Sequence, residues 1–458
     1  MTEFRFPPIR VTKACISAPP TESLITAAGE APSSLSRSMR SDRCLDTLLP
    51  VRSLSNRHRA LLREMLEYIE YTARQSSGGL ANPIIPSSID DDPQGPPEGE
   101  EIEKFDLDLF RNQVKNIMDT KVPGAGYSIT AYFEGKYRSV AGGFANVESK
   151  LKMSEFQPFM CASVSKMITC AAVLFACKNS GIVDINSRLL HFCPPVWSPR
   201  SKIFDTLVIL QSLQYKVGIK NSDGVGYDEG AVRDWIVTGG HGPDKFQASD
   251  IANGTFQYNN TCYAWFRFFL FYMTAPSWYV KEVNSLALSD WQAAREVILS
   301  WHEWYVRMNV LGGANAALRP IGVGAGPSTR NYPYPCSNPC SGVYLKDHFN
   351  LSGGSGWFIS SLDLARFLVR MRWGNILSWS DVLRVFSTKN LGDGWNGSFA
   401  TKGGIALYKR GAIDKAKGFV AAFPNGAMIA GGSNHEIGAN VDSAIKEAYS
   451  KSWKWIPK

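Results

Sequence analysis

The stretch Phe159-Met160-Cys161-Ala162-Ser163-Val164-Ser165-Lys166-Met167-Ile168, continuing through Ala171, Ala172, Val173 and Leu174 to Lys178, decides how this chain is read. Its apolar residues predict a buried helix over Val164–Lys178, closed by Asn179-Ser180-Gly181. Ser163 and Lys166 stand one turn apart, so they share a face and the amine can reach the hydroxyl. The same Ser-x-x-Lys spelling occurs at Ser149…Lys152, in a polar turn, and at Ser443…Lys446, on an amphipathic terminal helix whose lysine faces water. Only Lys166 is forced out of water by its own helix, and an ammonium buried without a task is costly. A lysine in apolar surroundings loses basicity and serves as a base toward a neighbouring serine. Ser163 and Lys166 are therefore the candidate nucleophile and base, against the plainer reading of a capping serine and a surface lysine.

Working outward, Phe105, Leu107, Leu109, Phe110, Val114, Ile117 and Met118 mark a helix with one apolar face, stopped by Pro123-Gly124. Tyr127–Phe133 and Tyr137–Ala141 read as strands of a hairpin around Glu134-Gly135-Lys136. The middle, 195–350, is loop-rich with scattered helices, including Ala287–Arg307. Strands are expected at Gly403–Tyr408, Gly418–Phe423 and Ala427–Ala430, the last two joined through Asn425-Gly426, with a closing helix at Asp442–Trp453. This order predicts an α+β fold: an antiparallel β-sheet flanked by terminal helices, with a mainly helical insertion over about 160–390. Residues 1–103 read as a mostly disordered arm, Ser/Arg/Pro-rich and then Gly/Pro/acid-rich, carrying one helix at 56–73; the packed domain is 104–458.

Composition removes several classes. The chain has 458 residues, 44% of them hydrophobic, and a net charge of +8 from 49 basic and 41 acidic residues, too mild for a nucleic-acid binder. No apolar run approaches the ~18 residues of a membrane span. Met1 to Ser17 lacks the layout of a secretory signal, which leaves a cytoplasmic location as the default expectation. The six histidines include no i, i+4 pair, and Cys336-x₃-Cys340 has no second pair, so no metal is expected. Gly322–Gly326 opens no helix, and Ser355, in Gly353-Gly354-Ser355-Gly356-Trp357, misses the last glycine of a nucleophile elbow.

With Gly181-Ile182-Val183-Asp184-Ile185 behind it, the Ser163–Lys166 helix resembles the nucleophile helix of the serine β-lactamase-like superfamily. The likeness is to the branch of class C β-lactamases, family VIII-type esterases and D-alanyl-D-alanine carboxypeptidases. Other pieces follow in that family's order. Val122-Pro123-Gly124-Ala125-Gly126 resembles its lead into the sheet, and Tyr258-Asn259-Asn260 its Tyr-x-Asn motif. Ser360–Leu368 after Gly353-Gly354 resembles a helix-opening segment, and Lys402-Gly403-Gly404 the third motif, Lys-Thr-Gly or His-x-Gly.

The resemblance implies a β-lactamase/transpeptidase-like fold over about 104–458 and roles for particular residues. Ser163 would be acylated, and Lys166 would be general base or hold the proton network. Tyr258 would pass the proton as phenolate or shuttle, while Asn260 would bond Lys166 or a substrate amide. Lys402 would act on Tyr258 or on a substrate anion. Gly404 and Ile405 would lie in the substrate strand, with the Ser163 and Ile405 N–H groups as oxyanion hole. The implied activity is a serine hydrolase working through an acyl-enzyme on a small ester or amide, without metal or organic cofactor. A β-lactam hydrolase or D-amino-acid peptidase, and a non-catalytic scaffold of the same fold, are the alternatives. Gly403 in place of a hydroxyl residue and the bulky Ile405 favour the esterase side.

Overall fold

Tyr127–Phe133 (β2) explains the layering of the molecule. Tyr127, Ile129 and Ala131 point into one core, while Ser128 and Thr130, on the other face, meet the Ser361 hydroxyl at 2.7 and 2.9 Å. A strand buried on both faces must be central, covered by helices on each side.

The structure is a computed structural model that describes residues 101–457 apart from 122–123, 125, 220–227, 241–244, 334–340, 344–348, 375, 389–390, 414 and 436–440. Residues 1–100 of the arm, with the helix expected at 56–73, and the Cys336/Cys340 pair fall outside the described residues. The elements used below run in chain order. The first are β1 (Glu101–Phe105), α1 (Leu107–Lys121), β2, β3 (Lys136–Gly142) and the nucleophile helix α2 (Ser165–Ser180). Next come α3 (Phe266–Thr274), α4 (Trp291–Tyr305), α5 (Ser361–Trp373) and α6 (Trp379–Val385). The last are β4 (Gly397–Thr401), β5 (Gly404–Ile413), β6 (Ala416–Ala422), β7 (Met428–Ser433), α7 (Val441–Ser450) and β8 (Trp453–Pro457).

Six strands form one antiparallel sheet in the order β3-β2-β7-β6-β5-β4. The β2–β3 hairpin closes on Glu134 and Gly135, whose φ angles of 45° and 78° are those of a type I′ turn. One face packs on α1 and α7 through Phe110, Phe423 and Tyr449, the last two stacked at 4.1 Å. The other face carries the larger core, built with α2, α3, α4 and α5. The aromatic run of α3 belongs to it: Phe266, Phe268, Phe269 and Phe271 are fully buried. Among the described residues no helix is long and apolar enough to cross a membrane.

Four boundaries differ from the sequence expectations. Glu101–Glu103, assigned above to the arm, pair with the final strand as part of β1. The closing helix stops at Ser450 and the chain continues as β8, because Trp453 packs on Phe105 and Tyr449 instead of prolonging the helix. Strand β5 does not end at Tyr408; it runs five residues further, to Ile413, in unbroken register with β6. The helix expected over Ala287–Arg307 is broken at Asp290, whose carboxylate caps α4 by accepting from the Ala293 N–H at 3.0 Å.

Candidate active site

Ser163 sits in a single 3₁₀ turn, Ala162–Val164, that opens into α2. Ala162 has a φ of 48°. Left-handed backbone costs a residue with a β-carbon about 1–2 kcal/mol, so the surroundings must impose it. They do so through two glycines. A β-carbon on Gly411 of β5 would lie 2.5 Å from the Ser163 nitrogen, and one on Gly418 of β6 would lie 2.5 Å from the Cys161 oxygen. These glycines face each other in register, so the serine turn rests directly on the sheet backbone.

Helix α2 is buried nearly all round, which leaves Lys166 no path to water; it is fully buried. Its ammonium makes three bonds, to Ser163 Oγ at 3.0 Å, Asn260 Oδ1 at 2.7 Å and the Gly354 carbonyl at 2.7 Å. These acceptors offset the burial of the amine. The Gly354 carbonyl is one of three in a row held from behind. Thr169 Oγ1 donates to the Gly353 carbonyl at 2.7 Å, and the buried Arg267 donates to that of Ser352 at 3.0 Å.

Tyr258 and Asn260 reach the site from a turn fixed by the residue between them. The Asn259 side chain accepts from the Cys262 N–H at 2.9 Å and donates to the Gln257 carbonyl at 3.0 Å. That local capping explains why Tyr-Asn-Asn-Thr turns into a short helix, Thr261–Ala264, with residues 258 and 260 on the same side as Lys166. The Tyr258 ring lies between two ammonium groups, 5.2 Å from Lys166 Nζ and 4.5 Å from Lys409 Nζ. Burial by itself raises the Tyr258 phenol. The charges of Lys166 and Lys409, with hydrogen bonds to Ser163 and Lys166, outweigh it and bring Tyr258 down to about 7.

Lys409 is the residue that the sequence reading missed. It projects from the part of β5 beyond Tyr408, is fully buried, and donates to Tyr215 Oη at 3.1 Å. Burial lowers its basicity against the pull of Tyr258, to about 8. Lys402, expected in this place, stands in the β4–β5 turn, where it pairs with Glu103 and lies over the Trp453 ring. Gly404 and Ile405 are likewise exposed, Ile405 by 48%, at the far end of the strand from Ser163. The structure thus brings Ser163, Lys166, Tyr258 and Asn260 together and leaves Lys402, Gly404 and Ile405 outside. Lys409-Arg410-Gly411-Ala412 runs past the serine instead.

His435 is buried elsewhere, stacked on Tyr332 at 5.3 Å and bonded to Asn434. Ser355 is buried beside the Gly354 carbonyl and is not among the partners of Lys166.

The β-lactamase family model matches residues 110–404. Among curated proteins none matches the sequence. Three solved structures share the fold at low identity. D-amino acid amidase from Ochrobactrum anthropi SV3 aligns at 13% identity, with 75% of this chain and 98% of that one covered and a TM-score of 0.54. The β-lactamase/D-alanine carboxypeptidase from Pseudomonas syringae aligns at 14% identity, with 75% and 98% covered and a TM-score of 0.54. The class C β-lactamase from Rhodobacter sphaeroides aligns at 13% identity, with 75% and 99% covered and a TM-score of 0.53.

Proposed function

The chain belongs to the β-lactamase family, whose members are generally serine hydrolases, and we propose on that premise that it hydrolyses an ester or amide through an acyl-enzyme on Ser163. The observation that carries the reading is the contact set of the buried Lys166, which joins Ser163 Oγ, Asn260 and Gly354 in one network beside Tyr258.

In this arrangement Lys166 is committed to Asn260 Oδ1 and the Gly354 carbonyl as well as to Ser163 Oγ, and its part is to hold the serine oxygen in place. The acceptor is Tyr258, which ionises near the middle of the working range and is hydrogen-bonded to Ser163. As Ser163 Oγ bonds to the carbonyl carbon, its proton passes to Tyr258 Oη. When the tetrahedral adduct collapses, the carbon–oxygen or carbon–nitrogen bond breaks and the leaving group takes that proton. A water molecule then reverses the sequence on the acyl-enzyme, with Tyr258 again as base. The Ser163 N–H and the N–H of Ala412, three residues beyond Lys409, would bind the developing oxyanion. Removal of one such donor costs about 2.7–4 kcal/mol in a comparable hydrolase.

Gly403 and Ile405 lie outside the site and do not discriminate an ester from a β-lactam, but the residue after Lys409 is Arg410, so a hydroxyl is missing from the substrate strand here too. Labelling with a fluorophosphonate, read by intact mass, tests the proposal: one adduct on the wild type and none on Ser163→Ala is expected. A folded wild type that takes no adduct would favour the non-catalytic scaffold. Turnover of a chromogenic cephalosporin in preference to simple esters would favour the β-lactam hydrolase or D-amino-acid peptidase.

A further inference from the structure

Tyr215 belongs to no motif, yet its ring and hydroxyl both reach the site. It is fully buried, and its ring lies 5.0 Å from that of Tyr258, at 36°. Its hydroxyl accepts from Lys409 Nζ at 3.1 Å, and the same ammonium stands 5.5 Å over the Tyr215 ring and 4.5 Å over that of Tyr258. Lys409 is therefore held in a notch between two phenols, one of which is the proposed base.

The backbone is committed to this placement. Tyr215 has a φ of 57°, a conformation seldom adopted by a residue with a β-carbon. It is held there from two sides. The Tyr215 carbonyl accepts from the Gln257 N–H at 2.8 Å, tying it to the residue before Tyr258. On the other side, the Asp393 N–H donates to the Leu213 carbonyl at 2.9 Å, and the Asp393 carboxylate bonds Gln214. A second ring, Tyr263, closes the stack from behind at 5.0 Å and anchors its own hydroxyl on the Leu213 carbonyl at 2.7 Å.

We propose that Tyr215 is a positioning residue for catalysis, which fixes the Lys409 ammonium against Tyr258 by accepting its hydrogen bond while bracing the Tyr258 ring. Lys409, itself fully buried, would otherwise have a long, freely rotating stem and one partner fewer. The titratable groups facing Tyr215 are Lys409, Tyr258, Tyr263, Cys262 and Cys170, and Lys166 faces Tyr258 from the opposite side. Lys409 is the only cation bonded to Tyr215 among the described residues. Weakening that bond destabilises the Lys409 ammonium and with it the Tyr258 phenolate, so the midpoint of Tyr258 ionisation moves up.

The inference rests on the hydrolase reading only for its consequence in rate; the ionisation of Tyr258 is measured without any substrate. Tyr215→Phe keeps the ring stack and removes the acceptor alone. Phenolate absorbance of full-length protein, taken as the difference from a Tyr258→Phe partner in the same background, isolates the Tyr258 titration. The expected midpoint lies about half a unit to one unit above the wild-type value, with fluorophosphonate labelling at neutral pH slowed about two- to fivefold. An unchanged midpoint in folded Tyr215→Phe overturns the proposal. Should that variant fail to fold, 3-fluorotyrosine placed at 215, nearly isosteric but a weaker acceptor, is expected to shift the midpoint in the same direction, and no shift would again overturn it. A midpoint raised in Tyr215→Phe, alongside a wild type that never labels at Ser163, would uphold the role of Tyr215 and refute the hydrolase.

Discussion

Replacing Lys409 by Met separates the two lysines that compete for the third motif. Methionine nearly matches the length of the lysine stem and removes the charge that stands 4.5 Å from the Tyr258 ring. Coulomb attraction over 4.5 Å amounts to about 3.7 kcal/mol at an effective dielectric of about 20 and about 0.9 kcal/mol in water, or roughly 2.7 and 0.7 pH units. Tyr258 ionises at about 7, so near pH 7 about half of it is phenolate. The shift reduces that share to between about one part in six and one part in 500, slowing acylation between about threefold and 250-fold. The assay is the second-order rate of fluorophosphonate labelling on variants whose circular dichroism matches the wild type, with Lys402→Met as companion. Lys402→Met should label like the wild type, since its charge is spent on Glu103 at the surface. Full activity in Lys409→Met, together with loss in Lys402→Met, would refute the assignment.

Three further outcomes are expected. The rate should rise as pH passes about 7, where Tyr258 loses its proton, and fall beyond about 8, where Lys409 loses its own and abandons the phenolate. A flat labelling profile between about pH 6 and pH 9 would remove Tyr258 as the base. Gly411→Ala forces a β-carbon to 2.5 Å from the Ser163 nitrogen, where only backbone could yield, and should slow labelling by about a hundredfold or more with a lowered melting temperature. Wild-type rates in that variant would mean that the serine turn does not rest on β5. Phe110→Ala empties a fully buried position between Phe105, Phe423 and Tyr449, far from the site. It should cost about 3–5 kcal/mol in urea unfolding and leave the labelling rate of the folded protein unchanged.

The nucleophile helix, the two hairpins and the succession of helix, strands, helical insertion, strands and helix were legible because each is written in local patterns: an apolar run and two turn dipeptides between short β-rich runs. Ser163 and Lys166 were legible for a related reason, since an apolar helix leaves its lysine nowhere to go. Lys409 was hidden by the same logic turned around. Lys409-Arg410 looks like the charged end of a strand, whereas Lys402-Gly403-Gly404 spells the motif better. The signal that could have found it is alternation: Leu407, Lys409 and Gly411 continue one face of β5, and a glycine two residues beyond a lysine fits a strand pressed against another backbone. Nothing local announces Tyr215 or the Ser352–Gly354 carbonyls, because both matter only for what the chain brings to them from 85 to 194 residues away.

Lys409, sealed in the interior with no carboxylate among its hydrogen-bond partners in the described residues, gives this fold a standing thermodynamic burden. Lys409 shows its size: a base brought from 10.5 to about 8 on folding costs about 3 kcal/mol wherever it still carries its proton. The unfolded chain holds that proton more tightly, so this part of the burden lifts as pH climbs from about 8 toward 10.5. Selection for stability alone would not retain such groups, and the most disabling substitution at this place should yield the sturdier protein. Chemical denaturation of Lys409→Met at neutral pH would then show resistance gained where turnover is lost, which is the mark of an interior arranged for reactivity at the expense of its own cohesion.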